Sequence, residues 1–223
     1  MEGRAMHCRT SPLKTAFGVA PFLMPIPSIA DEADRLQVGL RLGTSLASGV
    51  PANDMPGYGI HGLYALNDRW SVGLGLYFTE FDYEEPARQV GLPIDPDAEP
   101  IDAKAEQMIY SALVEYSFSP PEARRQWFAG ARLGIADTDV PVATGLTATG
   151  DPFEVHTEVD RETIVSAFGG VRQRFGGHWF AEFTVNADQH FAAWESVDVV
   201  SGAEGRSGDY FAYGFHLGVG YRF

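Results

Sequence analysis

The sequence predicts an all-β fold in which eight antiparallel strands close into an up-and-down transmembrane β-barrel. Apolar residues alternate with small or polar residues in eight segments, which is the period of a strand with one apolar face. Short and long connections alternate between these segments, and aromatic residues concentrate at the segment ends. A soluble β-sandwich would share the first feature but needs neither of the others, so the combination favours a membrane barrel.

The last strand, 211–223, is the clearest. Its apolar side chains occupy every second position, namely Phe211, Tyr213, Phe215, Leu217, Val219, Tyr221 and Phe223. The small or polar residues between them would face the other side of the sheet. This segment is similar to the C-terminal signal of bacterial outer-membrane β-barrels, so Tyr221 and Phe223 are expected to be read by the barrel-assembly machinery.

Seven further segments show the same period. The first carries leucine and valine at its even positions, and no segment shows long helical periodicity. The predicted strands are 36–46, 58–66, 70–78, 107–118, 127–135, 163–175 and 179–187.

The connections between these strands alternate in length. Those at 67–69, 119–126 and 176–178 are short. The others are mostly longer and rich in Pro, Gly and acidic residues, at about 48–57, 82–104, 137–160 and 189–209. This layout predicts short periplasmic turns and long extracellular loops.

A tryptophan opens each strand that follows a short turn, namely Trp70, Trp127 and Trp179. Trp and Tyr prefer the membrane interface because the ring is apolar while its N–H or O–H needs water. The three indoles are therefore predicted to form an inner aromatic girdle with Tyr116, Phe118, Phe175, Tyr221 and Phe223. An outer girdle is predicted from Tyr58, Phe78, Tyr110, Phe191, Trp194 and Phe211.

The N-terminal segment predicts a secretory signal peptide. Three basic residues precede a mostly apolar stretch at 15–29, and Ser28 and Ala30 are small residues at the −3 and −1 positions of a cleavage site. Cleavage after Ala30 would leave the barrel as residues 31–223. The single cysteine, Cys8, lies before the apolar stretch, so the mature chain would have no disulfide and no thiolate metal site.

Charge excludes one class of partner. The chain has 30 acidic and 16 basic residues and a formal net charge of −14. Nucleic-acid binding is not expected, because phosphate contacts require clustered Lys and Arg. No cofactor is predicted.

Together these segments resemble the small eight-stranded bacterial outer-membrane β-barrels, the OmpA-, OmpX- and OmpW-like group. The resemblance covers the signal peptide and everything from about Leu36 onward, and beyond the terminal strand it rests on architecture. It implies a location in the outer membrane of the Gram-negative cell envelope. It also implies a role as an anchor, a surface-interaction protein or a narrow porin-like conduit.

Strand parity predicts which charges point into the barrel. If the apolar positions face lipid, the inward set is Arg41, His61, Glu115, Arg132, Arg172, Arg174, Glu182, His216 and Arg222. An eight-stranded barrel is hardly wider inside than its side chains, so Glu115, Arg132, Arg172 and Glu182 are expected to meet. Pairing Arg with Glu avoids unpaired buried charges. The set is interpreted as a plug, or as a gate whose pairs exchange partners and whose arginine excess favours anions or blocks cations.

A second inward group, Arg41, His61 and His216, is predicted near mid-height on three neighbouring strands. It is a candidate for binding an anionic group or for pH-dependent gating, because imidazole titrates near neutrality. Arginine argues against a metal site. The alternative is that both histidines fill the lumen with hydrogen-bonded polar bulk.

The predicted outer loops are acidic, and the link at 137–160 contains no Lys or Arg. Such a surface could recruit divalent cations beside lipopolysaccharide, or a basic partner. The spacing of the carboxylates matches no calcium-loop motif, so a solvated surface is the alternative.

Three functions stay open from the sequence. A non-enzymatic barrel that stabilises the envelope or contacts partners is ranked first, and a narrow channel for small or apolar solutes second. A lipopolysaccharide-modifying enzyme, a lipid A acylase or deacylase, is third, because no motif joins its candidate residues. Those residues are Ser111, Ser166, Ser196, His156, His190, Glu158 and Asp188.

Overall fold

The computed structural model describes residues 35–48, 54–83, 86–93 and 103–223. The predicted signal peptide and its cleavage site lie outside these residues. In the described part of the chain no helix is long and apolar enough to cross a bilayer.

The described residues form twelve strands and one short helix, numbered in chain order. The strands are β1 (Leu36–Ser48), β2 (Asp54–Ala65), β3 (Trp70–Tyr83), β4 (Ala103–Ser117), β5 (Arg125–Asp139), β6 (Ala143–Leu146), β7 (Pro152–Val159), β8 (Glu162–Phe175), β9 (Trp179–Phe191), β10 (Trp194–Asp198), β11 (Glu204–Ser207) and β12 (Tyr210–Arg222), and the helix α1 is Pro86–Gln89.

Eight of these strands form a closed barrel in the order β1-β12-β9-β8-β5-β4-β3-β2, with every neighbouring pair antiparallel. Pairing of β1 with β12, from Gln37 opposite Arg222 to Ser48 opposite Phe211, closes the cylinder. The predicted all-β, eight-stranded up-and-down barrel is confirmed. Closure leaves no sheet edge with unpaired backbone groups, which hydrocarbon would not tolerate.

The outer wall of the barrel is apolar and its interior is polar. Large side chains such as Leu42, Leu74 and Leu217 are exposed on the outside. Inward positions hold buried polar and charged residues instead. This is the reverse of a water-soluble barrel, and it places hydrocarbon, not water, against the outer wall.

Several strands extend further toward the loop end than their apolar pattern predicts. β2 begins at Asp54 rather than residue 58, and β9 ends at Phe191 rather than residue 187. Above the outer aromatic residues the outward positions become charged, as at Glu80, Glu106 and Asp139, which face one another across β3, β4 and β5. Hydrogen-bonded pairing continues there although the hydrophobic alternation has stopped.

The connections predicted as long loops contain a second, four-stranded sheet in the order β11-β10-β7-β6. Its strands are at most eight residues long, too short for periodicity to identify. Phe153 and Val155 of β7 form a small core with Ala87 and Val90 around α1. We call β6, β7, β10, β11 and α1 the extracellular module, because they lie in the connections that the sequence predicts to be extracellular.

Trp194 does not belong to the outer girdle, so that prediction is wrong. It is 1% exposed and stacks on Tyr83 at 5.3 Å between ring centroids, with Phe81 and Tyr210 nearby. It opens β10 rather than continuing β9, so it packs into a core between the barrel mouth and the extracellular module. Trp70, Trp127 and Trp179, in contrast, are exposed at the short-turn end.

Hydrogen bonds to Asp198 connect β7 and the turn after β10 within the extracellular module. Its buried carboxylate accepts hydrogen bonds from the Glu154 amide at 2.8 Å, the Ser201 amide at 2.8 Å, the Val200 amide at 3.4 Å and the Ser201 hydroxyl. Burial alone would raise the pKa of Asp198, but these hydrogen bonds outweigh it and hold the pKa below its ordinary value of 3.8.

We predict that Asp198→Ala loosens the extracellular module while the barrel stays folded, because four donors lose their acceptor. Limited proteolysis should then cut within 194–207 much faster, with Asp160→Ala, which removes an exposed carboxylate, as the control. A carboxyl with a lowered folded pKa stabilises above its unfolded pKa, so wild-type protection should persist at neutral pH and fall as the pH drops below about 4. Equal protection of Asp198→Ala and wild type would contradict this role.

Candidate functional site

The lower half of the lumen is organised around Arg172 of β8. Its Nη1 and Nη2 atoms donate to the two carboxylate oxygens of Glu115 at 2.9 and 3.1 Å, and its Nε and Nη2 atoms donate to Glu182 Oε2 at 3.2 and 3.0 Å. All three side chains are buried. Such forked contacts are the strongest geometry available to an Arg–carboxylate pair.

Two aromatic rings enclose the same guanidinium. The Arg172 Cζ atom lies 4.7 Å from the ring centroid of Phe128 and 5.0 Å from that of Phe180. A cation between two ring faces gains cation–π attraction, which grows as water is removed. Both rings are buried inside the barrel.

Glu182 is shared between two arginines. Its Oε1 atom accepts a hydrogen bond from Arg41 Nε of β1, while its Oε2 atom contacts Arg172. His61 Nε2 lies 3.6 Å from the same Oε1 atom, and neither ring nitrogen has a hydrogen-bond partner among the described residues. We call Arg41, Glu115, Arg172 and Glu182 the lower charge cluster.

Arg132 does not join the lower charge cluster, contrary to the prediction from strand ends. It donates Nη2 to Asp188 Oδ1 at 2.8 Å and Nε to Ser166 Oγ at 3.1 Å. Arg132, Ser166 and Asp188 share one rung of the β5–β8–β9 ladder. The stagger of strands in a barrel moves residues at equal distance from the strand ends to different heights.

Arg41, His61 and His216 line one cavity of about 30 Å³ with Tyr77 and Arg132. His216 Nε2 lies 3.0 Å from the Tyr77 hydroxyl, and the two rings meet edge to face. A space of this size admits a water molecule but no organic anion. The predicted Arg/Glu group and the predicted Arg41–His61–His216 group are therefore joined, because Arg41 and His61 both contact Glu182.

A buried carboxylate near the loop end escaped the sequence analysis. Glu162 is 0% exposed and lies 3.0 Å from His190 Nδ1, 3.1 Å from the Tyr210 hydroxyl and 3.2 Å from Gln107 Nε2. His190 stacks on Tyr210 with 4.1 Å between the ring centroids. We call Glu162, His190, Tyr210 and Gln107 the upper polar cluster.

Sequence reasoning could have found part of the upper polar cluster. Both Glu162 and His190 occupy inward positions of β8 and β9. One predicted strand begins at residue 163 and the next ends at residue 187. Glu162 and His190 therefore lie just outside the predicted strands. Continuing the inward–outward alternation of each strand by one to three residues places both side chains in the lumen.

The remaining predicted lumen residues lie at the short-turn rim. Arg174 donates Nη1 to the Pro121 carbonyl at 2.8 Å, and Arg222 is half-buried at the end of β12. Their assignment to a plug or gate stays a prediction.

The candidate enzyme residues do not assemble into a Ser-His-acid arrangement in the described part of the chain. Ser196 bonds with Thr157 and Tyr83, and His190 pairs with Glu162. His156 pairs instead with exposed Glu154. No group of three or more His, Cys, Asp or Glu among the described residues could hold a metal ion.

The family model of the outer membrane protein beta-barrel domain matches residues 16–223. Among solved structures, the chain is similar to Neisserial surface protein A, with 14% identity, a TM-score of 0.49 and coverage of 84% of this chain and 97% of that one. It is also similar to Ail, the attachment invasion locus protein of Yersinia pestis, with 13% identity, a TM-score of 0.46 and coverage of 85% and 98%. The N-terminal β-barrel domain of Pseudomonas aeruginosa OprF matches with 16% identity, a TM-score of 0.38 and coverage of 84% and 97%. No curated protein sequence matches the chain.

We predict that Arg172→Met destabilises the folded barrel by about 3–5 kcal/mol, because Glu115 and part of Glu182 are left buried without a counter-charge. Urea unfolding in lipid vesicles measures the change. Arg206→Met, which removes an exposed arginine paired with Glu195, should cost at most about 1 kcal/mol. Equal losses of unfolding free energy in Arg172→Met and Arg206→Met would contradict the claim that a buried ion pair matters more than an exposed one.

We further predict that His190→Phe costs about 1–3 kcal/mol, because the ring still stacks on Tyr210 but Glu162 loses a hydrogen-bond donor. Combining His190→Phe with Glu162→Gln should recover part of that loss in the same unfolding assay, since the unpaired charge is removed. Strict additivity of the two substitutions would rule out direct coupling between them.

Proposed function

This chain belongs to the outer membrane protein β-barrel domain family and lies in the bacterial outer membrane, and on that premise we propose that it is a non-enzymatic barrel whose acidic extracellular module contacts partners at the cell surface. The barrel acts as a rigid anchor for that module. The extracellular ligand is a basic protein surface, or divalent cations that bridge the carboxylates to lipopolysaccharide.

The filled lumen is the observation that carries this proposal. The lower charge cluster, the Arg132–Asp188 pair and the upper polar cluster occupy successive levels between the two ends of the barrel. Two lumen cavities of about 20 and 30 Å³ lie between them. Each has the volume of a water molecule or two, so the interior is suited to support and not to transport.

The extracellular module supplies a surface that is already ordered before any partner binds. Its solvent face carries Glu158, Glu195 and Glu204, and exposed apolar side chains such as Val197 and Leu146 lie among them. A folded, mixed apolar and acidic surface loses little entropy when a partner binds and favours a basic one.

We predict that replacing Glu154, Glu158, Glu195 and Glu204 with Gln weakens binding of a basic polypeptide probe, such as polylysine, at low salt. Surface plasmon resonance on nanodisc-embedded protein measures the affinity. A variant with Asp68 and Glu122 changed to Asn and Gln, which removes two carboxylates at the opposite end, is the control. Equal binding by all three proteins, with no change in module stability on adding calcium, would contradict both forms of the proposed ligand.

A gated channel is the second candidate, and one observation favours it. Glu182 already contacts Arg41 and Arg172, so a small shift could transfer it from one arginine to the other. Discrete single-channel conductance in planar bilayers that changes with Glu115→Gln or Glu182→Gln would put this function first. Altered lipid A acylation on expression would instead favour an enzyme.

A further inference from the structure

One lumen cavity, of about 30 Å³, is surrounded by side chains that carry hydrogen-bond donors. These side chains come from β1, β2, β3, β4, β5 and β12, and they are Arg41, His61, Tyr77, Ser111, Arg132 and His216. Glu182 and Asp188, which pair with the two arginines, are not among the residues that line it. We call this space the donor cavity.

Both arginines of the donor cavity use only part of the guanidinium to bind their carboxylates. Arg41 donates to Glu182 through Nε, and Arg132 donates to Asp188 through Nη2 and to Ser166 through Nε. A guanidinium carries five N–H donors. Within the described part of the chain, no acceptor takes those of Arg41 Nη1 and Nη2 or of Arg132 Nη1. Both side chains are largely buried, so an acceptor inside the cavity would satisfy these groups.

His61 also needs an acceptor. Its side chain is 3% exposed, and neither ring nitrogen has a hydrogen-bond partner among the described residues. Glu182 Oε1 lies 3.6 Å from His61 Nε2, which is beyond hydrogen-bond distance. An imidazole carries at least one N–H donor in either charge state, and a buried donor without an acceptor is destabilising.

Size and donor count together identify the class of ligand. A volume of about 30 Å³ is about twice what one water molecule requires, so the donor cavity admits a monatomic ion but no phosphate or carboxylate. A buried water molecule has to donate hydrogen bonds as well as accept them. A halide ion only accepts, which suits a wall that offers more donors than acceptors. Two guanidiniums also repel a cation from this space.

We propose that the donor cavity binds one chloride ion, held by Arg41, Arg132 and His61. β1 and β5, which supply the two arginines, lie opposite each other in the ring of eight strands. A bound chloride would therefore join opposite walls of the barrel and link the lower charge cluster to the Arg132–Asp188 pair. The site is independent of the acidic surface proposed above to bind partners.

Crystals of the mature chain grown in sodium bromide locate the ion, because bromide is a halide with a strong anomalous X-ray signal. We expect an anomalous peak inside the donor cavity, beside His61 and the two guanidiniums. Peaks confined to the outer surface would indicate an adventitious ion only and would overturn the proposal.

Urea unfolding in lipid vesicles measures binding in solution. Chloride replaces isethionate, an anion too large for the cavity, at constant ionic strength. Above the dissociation constant, each tenfold increase in chloride should raise the wild-type unfolding free energy by about 1.4 kcal/mol. Ser111→Val places an extra methyl group at the cavity wall and should remove this dependence. Thr184→Val is the control, because it removes a buried hydroxyl that does not line the donor cavity, and it should keep the dependence.

His61→Phe is the second test variant and replaces Ser111→Val if that variant does not fold. It keeps a planar ring in the lumen but removes the imidazole donor, so chloride affinity should fall about tenfold. Equal chloride dependence in wild type and His61→Phe would overturn the proposal, since the anion would then act elsewhere on the protein. Loss of the dependence in Thr184→Val would overturn it as well.

Discussion

Arg172 has been removed from water inside the barrel, and its contacts with two carboxylates and two aromatic rings set the arrangement of the lower lumen. Glu115 and Glu182 are buried, and this guanidinium pairs with both. Glu182 then draws in Arg41, and through Arg41 the first strand is tied to the ninth. Arg172 thereby links β4, β8 and β9 directly and β1 through Glu182. Loss of the arginine or of its glutamates would leave an unpaired charge in a low-dielectric interior.

The membrane imposes the complementary constraint on the outer wall. Hydrocarbon accepts the exposed leucines and aromatic rings but no free backbone groups, so the sheet has to close and the polar side chains have to turn inward. The interior of an eight-stranded barrel is narrow, so those side chains contact one another across it. Above the membrane this constraint ends. The chain there forms an ordinary soluble core, in which Trp194 is buried rather than exposed.

Parity and turn length were enough to predict the barrel, its eight strands and the inward direction of Glu115, Arg172 and Glu182. Heights within the lumen were not predictable, because strand stagger does not appear in the sequence; Arg132 therefore pairs with Asp188. Glu162 and His190 were missed where the apolar alternation ends before the strand does. The extracellular module is not predicted by the sequence, because its short strands have no apolar period long enough to detect.

We propose that side chains close the lumen between the lower charge cluster and the upper polar cluster. Thr184 lies between them and is 2% exposed, and the only cysteine of the chain is Cys8, within the predicted signal peptide. The most direct measurement is the reaction of Thr184→Cys with a small water-soluble thiol reagent in vesicles, beside exposed Ala193→Cys. A filled lumen predicts that the residue 184 thiol reacts only after unfolding in urea. Reaction of the folded barrel at the rate of the exposed thiol would contradict it.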